Sequence, residues 1–137
     1  MDSAIIHTLQ EALDRFGPTN ANFVIDLFVN NECVFQLIHP SIASQNKLSA
    51  DENTDFVFVF YLVFSTGSPD DSERLEKFRT MPIWGQFATD TWNDITSYTY
   101  NLGTNITEVT RLILFFLTHL YGITENDHFE IAINNSY

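Results

Sequence analysis

The chain has 137 residues, 45% of them hydrophobic and 15% aromatic, with 18 acidic against six basic residues and a net charge of −12. This length and apolar content predict a single domain over 1–137 with its own core. The charge argues against binding to DNA, RNA or anionic lipid, because phosphate contacts need clustered Lys and Arg. It favours a basic protein partner, although the same charge also helps to keep a Phe-rich protein soluble and monomeric.

Cys33 is the only cysteine, so the chain has no intrachain disulfide, which fits a reducing compartment. The first residues, MDSAIIHTLQEALDRF, contain no basic segment followed by an apolar core and therefore do not resemble a secretory signal. We therefore expect a cytoplasmic protein.

The first predicted element is an amphipathic helix over 3–16, which ends at Gly17-Pro18. Two strands follow, over 23–29 and 33–38, and Asn30-Asn31 predicts a tight hairpin between them because Asn tolerates positive φ. Asp26 indicates that one face of the first strand is partly solvated. Residues 39–55 are polar and predict a long irregular connection.

Residues 56–64 read FVFVFYLVF and have turn-type residues on both sides. This run is too short to cross a bilayer as a helix and is rich in Val, Phe and Tyr. It predicts the central strand of the sheet, buried on both faces, around which the other elements are arranged.

The second half of the chain predicts a helix from the Ser68 cap to Arg79, and then a short apolar segment around Trp84 that can form another helical turn. A strand is predicted over 91–100, a strongly apolar helix over 106–121 and a last strand over 128–133. The helix over 106–121 is apolar around so much of its circumference that it is either almost engulfed or faces another chain.

The predicted order is α-β-β-β-α-β-α-β. Segregated strands with two to three main helices indicate an α+β two-layer sandwich with a mostly antiparallel sheet of about five strands.

Sequence motifs for catalysis or metal binding are missing. The glycines stand alone, which excludes the usual phosphate-binding loops, and the four histidines are not spaced as zinc ligands. Asp51, Asn53 and Asp55 have the spacing of a calcium loop, but Phe56 occupies the position that requires Gly, and Leu62 the position of the bidentate Glu. We therefore expect no enzyme activity, no metal and no cofactor.

The candidate interface combines acidic residues with aromatic anchors. Acids steer and orient a basic partner, and aromatic side chains supply most of the contact energy. The candidate partner-binding residues are Asp51, Glu52, Asp55, Asp90, Asp94, Trp92, Tyr98, Tyr100, Glu125 and Asp127.

The leading hypothesis is an immunity-type inhibitor of a basic toxin such as a nuclease, whose phosphate-binding site an acidic protein can mimic and block. In size, acidity and architecture, the chain resembles small acidic bacterial immunity proteins and secretion chaperones. The chaperone resemblance extends over most of the chain without a specific motif, and implies a homodimer that binds an extended client. The inhibitor hypothesis favours a monomer. A third alternative is a small-ligand binder or an enzyme with an aromatic pocket.

Overall fold

The computed structural model describes residues 2–18, 23–40, 57–65 and 67–134. These ranges contain three α-helices, α1 (Asp2–Phe16), α2 (Pro69–Arg79) and α3 (Ile106–Tyr121), and a 3₁₀ helix, Pro82–Gln86. They also contain six strands: β1 (Val24–Val29), β2 (Glu32–Ile38), β3 (Phe58–Ser65), β4 (Ala88–Trp92), β5 (Ile95–Gly103) and β6 (Phe129–Asn134).

The strands form one antiparallel sheet in the order β4-β5-β3-β2-β1-β6. The α+β fold is as predicted, with six strands instead of about five. The buried apolar residues of the three helices all belong to one core cluster, which also includes alternate side chains of the sheet. This arrangement is the expected two-layer sandwich, with the helices on one face of the sheet.

β3 is an interior strand, as predicted, but the helices described here cover only one of its faces. Phe58, Phe60 and Leu62 are fully buried on the helical face. On the other face Val59 is 2% exposed, whereas Val63 is 41% exposed. The continuous apolar sequence therefore predicted more burial on the second face of β3 than the structure shows.

The hairpin between β1 and β2 is confirmed, with Asn30 and Asn31 at φ 51° and 68°. The single strand predicted over 91–100 was wrong. A second hairpin interrupts it, because Asn93 adopts a φ of 54° and the chain reverses, so that Trp92 pairs with Ile95. Asn tolerates the left-handed region better than other non-glycine residues.

Phenylalanines fill the layer between sheet and helices. Phe116 of α3 is fully buried and lies 4.6 Å from Phe60 between ring centroids, 5.8 Å from Phe78 and 6.0 Å from Phe87. Such ring pairs add to the stability gained from apolar burial. The predicted apolar helix thus has six of its 16 residues buried, whereas Phe115 is 47% exposed.

Both ends of α3 are capped. The side chain of Asn105 accepts a hydrogen bond from the Glu108 amide at 3.1 Å, and Gly122 ends the helix with a φ of 60°. None of the helices described is long and apolar enough to cross a membrane.

Candidate partner-binding surface

Basic and acidic side chains are segregated between the helices and the sheet. Every Lys and Arg within the described ranges lies on a helix: Arg15, Arg74, Lys77, Arg79 and Arg111. The four arginines are each within 4 Å of an acid three or four residues away on the same helix. The helices therefore neutralise most of their own positive charge.

The strands carry acids and no Lys or Arg. Asp26, Glu32, Asp90 and Glu130 lie on four different strands, and Asp94 lies in the β4–β5 turn. Among the described residues, the charged side chains of the strands are therefore all acidic. Such a set of charges steers a basic protein toward it.

The face of the sheet opposite the helices is named the open face. It is defined by Asp26, Gln36, Tyr61, Val63, Asp90 and Glu130. On β1, β2, β3 and β6 the sequence neighbours of these residues pack in the core, whereas Asp90 is placed on this face by register, because it pairs with Ser97, which pairs with Val63. At one end of it Val24, Ile38 and Val59 form a small buried cluster. The defining residues are half-buried or exposed and combine acids with an aromatic ring and an apolar side chain, the mixture found in protein interfaces.

Asp26 is held in place at one side of the open face. Its carboxylate accepts a hydrogen bond from Gln36 Nε2 at 2.6 Å and another from Asn134 Nδ2 at 2.6 Å. These partners are neutral amides on the two neighbouring strands, so the negative charge is oriented without being cancelled.

Tyr61, Ser97 and Asp90 form a second polar group across β3, β5 and β4. Burial raises the pKa of Tyr61, a hydrogen bond with Ser97 opposes this effect, and the negative charge of Asp90 adds to it. Ser97 Oγ also donates to the Asp90 main-chain oxygen at 3.4 Å. The phenol is therefore neutral at physiological pH and can act as a hydrogen-bond donor beside an acid.

Several turns meet at one end of the sheet. Ser65 pairs with Ile95, and Val29 pairs with Phe129. Consequently the β4–β5 turn, the β1–β2 hairpin, the start of α2 and the 125–128 segment share this end. Asp94, Glu32, Asp70 and Glu125 extend the anionic surface around it.

Asp127 at this end stabilises a turn. Its carboxylate accepts hydrogen bonds from Asn30 Nδ2 at 3.0 Å and from the Thr124 amide at 2.7 Å, and these bonds lower its pKa. Asn30 in turn accepts from the His128 amide at 2.8 Å. Asp127 is thus ionised, and its geometry is explained by the local fold.

The structure separates the residues that the sequence grouped as an interface. Asp90 and Asp94 lie at the β4 edge, whereas Glu125 and Asp127 precede β6 at the opposite edge, roughly 24 Å away for five strand spacings. Asp51, Glu52 and Asp55 lie outside the described residues, as does most of the predicted 39–55 connection. The side chain of Trp92 is also outside them.

The two predicted tyrosine anchors lie mainly on the helical side. Tyr98 is 4% exposed and contacts Phe64 and Phe78, so a partner has no access to it and we remove it from the interface. Tyr100 is half-buried, stacks on Phe87 at 5.2 Å and donates to Gln86 at 3.3 Å. Tyr61, Val63, Asp26 and Glu130 were missed, although the period-2 alternation of their strands places them opposite the core residues.

The described side chains include one cysteine, Cys33, whose reactivity depends on its pKa. Burial raises the pKa of Cys33, and Asp26 raises it further, so the thiol is a poor nucleophile at neutral pH. Within the described ranges, no three His, Cys, Asp or Glu residues are grouped as metal ligands.

Comparison with protein-family models, with curated proteins and with solved structures finds no match to this chain.

Proposed function

We propose that this protein is a binding module for a basic protein, and that it uses the open face and the adjoining anionic end of the sheet. The observation that carries the proposal is the segregation of charge: the described bases are confined to helices, where arginines pair with local acids, while the strands carry only acids. Complementary charge accelerates association and selects against acidic partners.

Within this class, an immunity-type inhibitor of a basic toxin such as a nuclease fits best. A nuclease must hold phosphates in a basic site, and an anionic surface with fixed carboxylates can occupy that site. Asp26 supplies such a fixed carboxylate, and Tyr61 and Val63 supply contact area beside it. We place this activity in the cytoplasm, consistent with the single cysteine.

Affinity capture from the native host at low salt tests the proposal. Wild type is compared with Asp90→Lys/Glu130→Lys, which alters the open face, and with Asp14→Lys/Glu76→Lys, which makes the same charge change on the helices. We expect wild type and the helix variant to retain a basic protein whose activity is inhibited, and the open-face variant to lose it. Equal capture by all three, capture of acidic proteins alone, or no capture would contradict the proposal.

A further inference from the structure

A cavity of about 400 Å³ opens between the 3₁₀ helix, the end of β5 and the first half of α3. Six apolar or aromatic side chains line it: Ile83, Tyr100, Leu102, Val109, Leu112 and Phe115. Val109 is 1% exposed, which places it at the bottom, whereas Phe115 is 47% exposed and stands at the mouth. The cavity is therefore apolar in its depth and open to solvent on one side.

Unequal strand lengths create this cavity. β4 pairs with β5 only from Ile95 to Thr99, so the last part of β5, 100–103, extends beyond its neighbour. Gly103, at φ 75°, then redirects the chain into α3, which crosses beside the extension. Ile83 approaches from the 3₁₀ helix without filling the space.

Few polar groups of the lining are available to a ligand. The Tyr100 hydroxyl donates to Gln86, and Arg111 Nη1 donates to both carboxylate oxygens of Glu108 at 2.8 and 3.0 Å. Asn101 Oδ1 accepts from the Gly103 amide at 2.9 Å, and its amide NH₂ has no partner among the described residues. Asn101 pairs with Val59 of the open face, however, so its side chain lies on the opposite side of the sheet from Tyr100 and Leu102, and the cavity offers a ligand few hydrogen-bonding groups.

We infer that this cavity binds a compact, uncharged, mainly hydrocarbon molecule. Its volume lies within the range of small-molecule sites, roughly 300 to 1,000 Å³, and its lining is apolar as in such sites. An anion would be repelled by the field of a chain with net charge −12. A cation would find no unpaired carboxylate in the lining, because Arg111 already neutralises Glu108.

This site is separate from the open face and does not depend on the proposed function. The cavity is a specific candidate site for the small-ligand binding that the sequence left open as a third alternative. A basic partner on the open face and a neutral ligand in this cavity are compatible, and either proposal can fail alone.

Two probes with the same ring skeleton test the inference. N-phenyl-1-naphthylamine is uncharged and has one N–H group, and 8-anilinonaphthalene-1-sulfonate adds a sulfonate. Both become fluorescent in apolar sites. We expect saturable binding of the neutral probe with one site per chain, and binding of the sulfonate at least about tenfold weaker. No saturable binding of the neutral probe, or equal binding of both, would overturn the inference.

A matched pair of variants locates the binding. Leu112→Trp fills the cavity and should weaken binding of the neutral probe by about tenfold or more. Ile6→Trp adds the same indole on the exposed face of α1, where Ile6 is 46% exposed, and should leave binding unchanged. Equal effects of the two substitutions would contradict the assignment. A second measurement uses only the wild-type protein and so does not depend on whether the variants fold. When the neutral probe is added, the amide chemical-shift changes should concentrate at 100–102 and 109–115. Changes concentrated elsewhere would refute the site.

Discussion

Asn134 and Asp26 are 108 residues apart in sequence and meet on the open face, where the Asn134 amide donates to the Asp26 carboxylate at 2.6 Å. The other carboxylate oxygen accepts from Gln36, so one negative charge connects β6, β1 and β2. The acid is thereby oriented before a partner arrives, which reduces the entropy lost on binding.

Removal of this carboxylate should cost stability as well as charge. Asp26→Ala leaves the amides of Gln36 and Asn134 without their acceptor, and we expect a loss of about 1 kcal/mol because Gln36 is only partly buried and Asn134 is exposed. Urea unfolding measures it. Asp90→Ala is the matched control, because no hydrogen bond is formed by its carboxylate within the described residues, and a loss of equal size there would contradict the assignment.

Tyr121 connects α3 to the sheet through its hydroxyl. The hydroxyl donates to the Val34 main-chain oxygen at 2.9 Å, and burial raises its pKa well above the ordinary range. Tyr121→Phe leaves that oxygen without its donor, and we expect a loss of about 1–2 kcal/mol in urea unfolding. Tyr100→Phe removes a longer, exposed bond and should cost less than about 0.5 kcal/mol. The reverse order of the two effects would contradict this account.

Two adjacent phenylalanines of α3 should differ strongly in their effect on stability. Phe116 is fully buried among aromatic rings, so Phe116→Ala should cost about 3–5 kcal/mol. Phe115 is 47% exposed, so Phe115→Ala should cost about 1 kcal/mol or less. Thermal and urea unfolding of both variants provide the comparison. Similar losses would mean that α3 is rotated about its axis relative to this structure.

His39 should make stability depend on pH. It is 2% exposed, and burial lowers its pKa below the ordinary value of 6.5. Between 6.5 and the lowered pKa, the unfolded state binds the proton more readily than the folded state. The contribution of His39 is therefore fully present above pH 6.5 and is lost as the pH falls through that window. We expect the urea midpoint to fall more steeply from pH 7.5 to 5.5 in wild type than in His39→Gln, and parallel curves would refute this role.

The sequence predicted the fold better than the interface, for physical reasons that particular residues illustrate. Apolar periodicity and caps identified all three helices, and Asn30-Asn31 correctly indicated a hairpin. Asn93-Asp94 has a similar turn composition, but β-branched and aromatic residues on both sides continued the strand pattern across it. A reversal there depends on the φ of one residue, which periodicity does not detect.

The interface depends on which strands become neighbours. Tyr98 and Asp94 are close in sequence, yet one is in the core and the other in a turn. Asp26 and Glu130 come together on one face only because β6 pairs with β1 after a separation of about a hundred residues. The charge segregation likewise becomes visible only when the strands are assembled into one sheet.

The most direct test of the central claim is the association rate between this protein and its captured basic partner, measured by stopped flow at several salt concentrations. The account predicts that Asp90→Lys/Glu130→Lys slows association by about tenfold or more at low salt, and that the difference shrinks as salt screens the field. It predicts a clearly smaller effect for Asp14→Lys/Glu76→Lys, which has the same net charge. Equal slowing by the two variants would show that only total charge matters, and would contradict an interface on the open face.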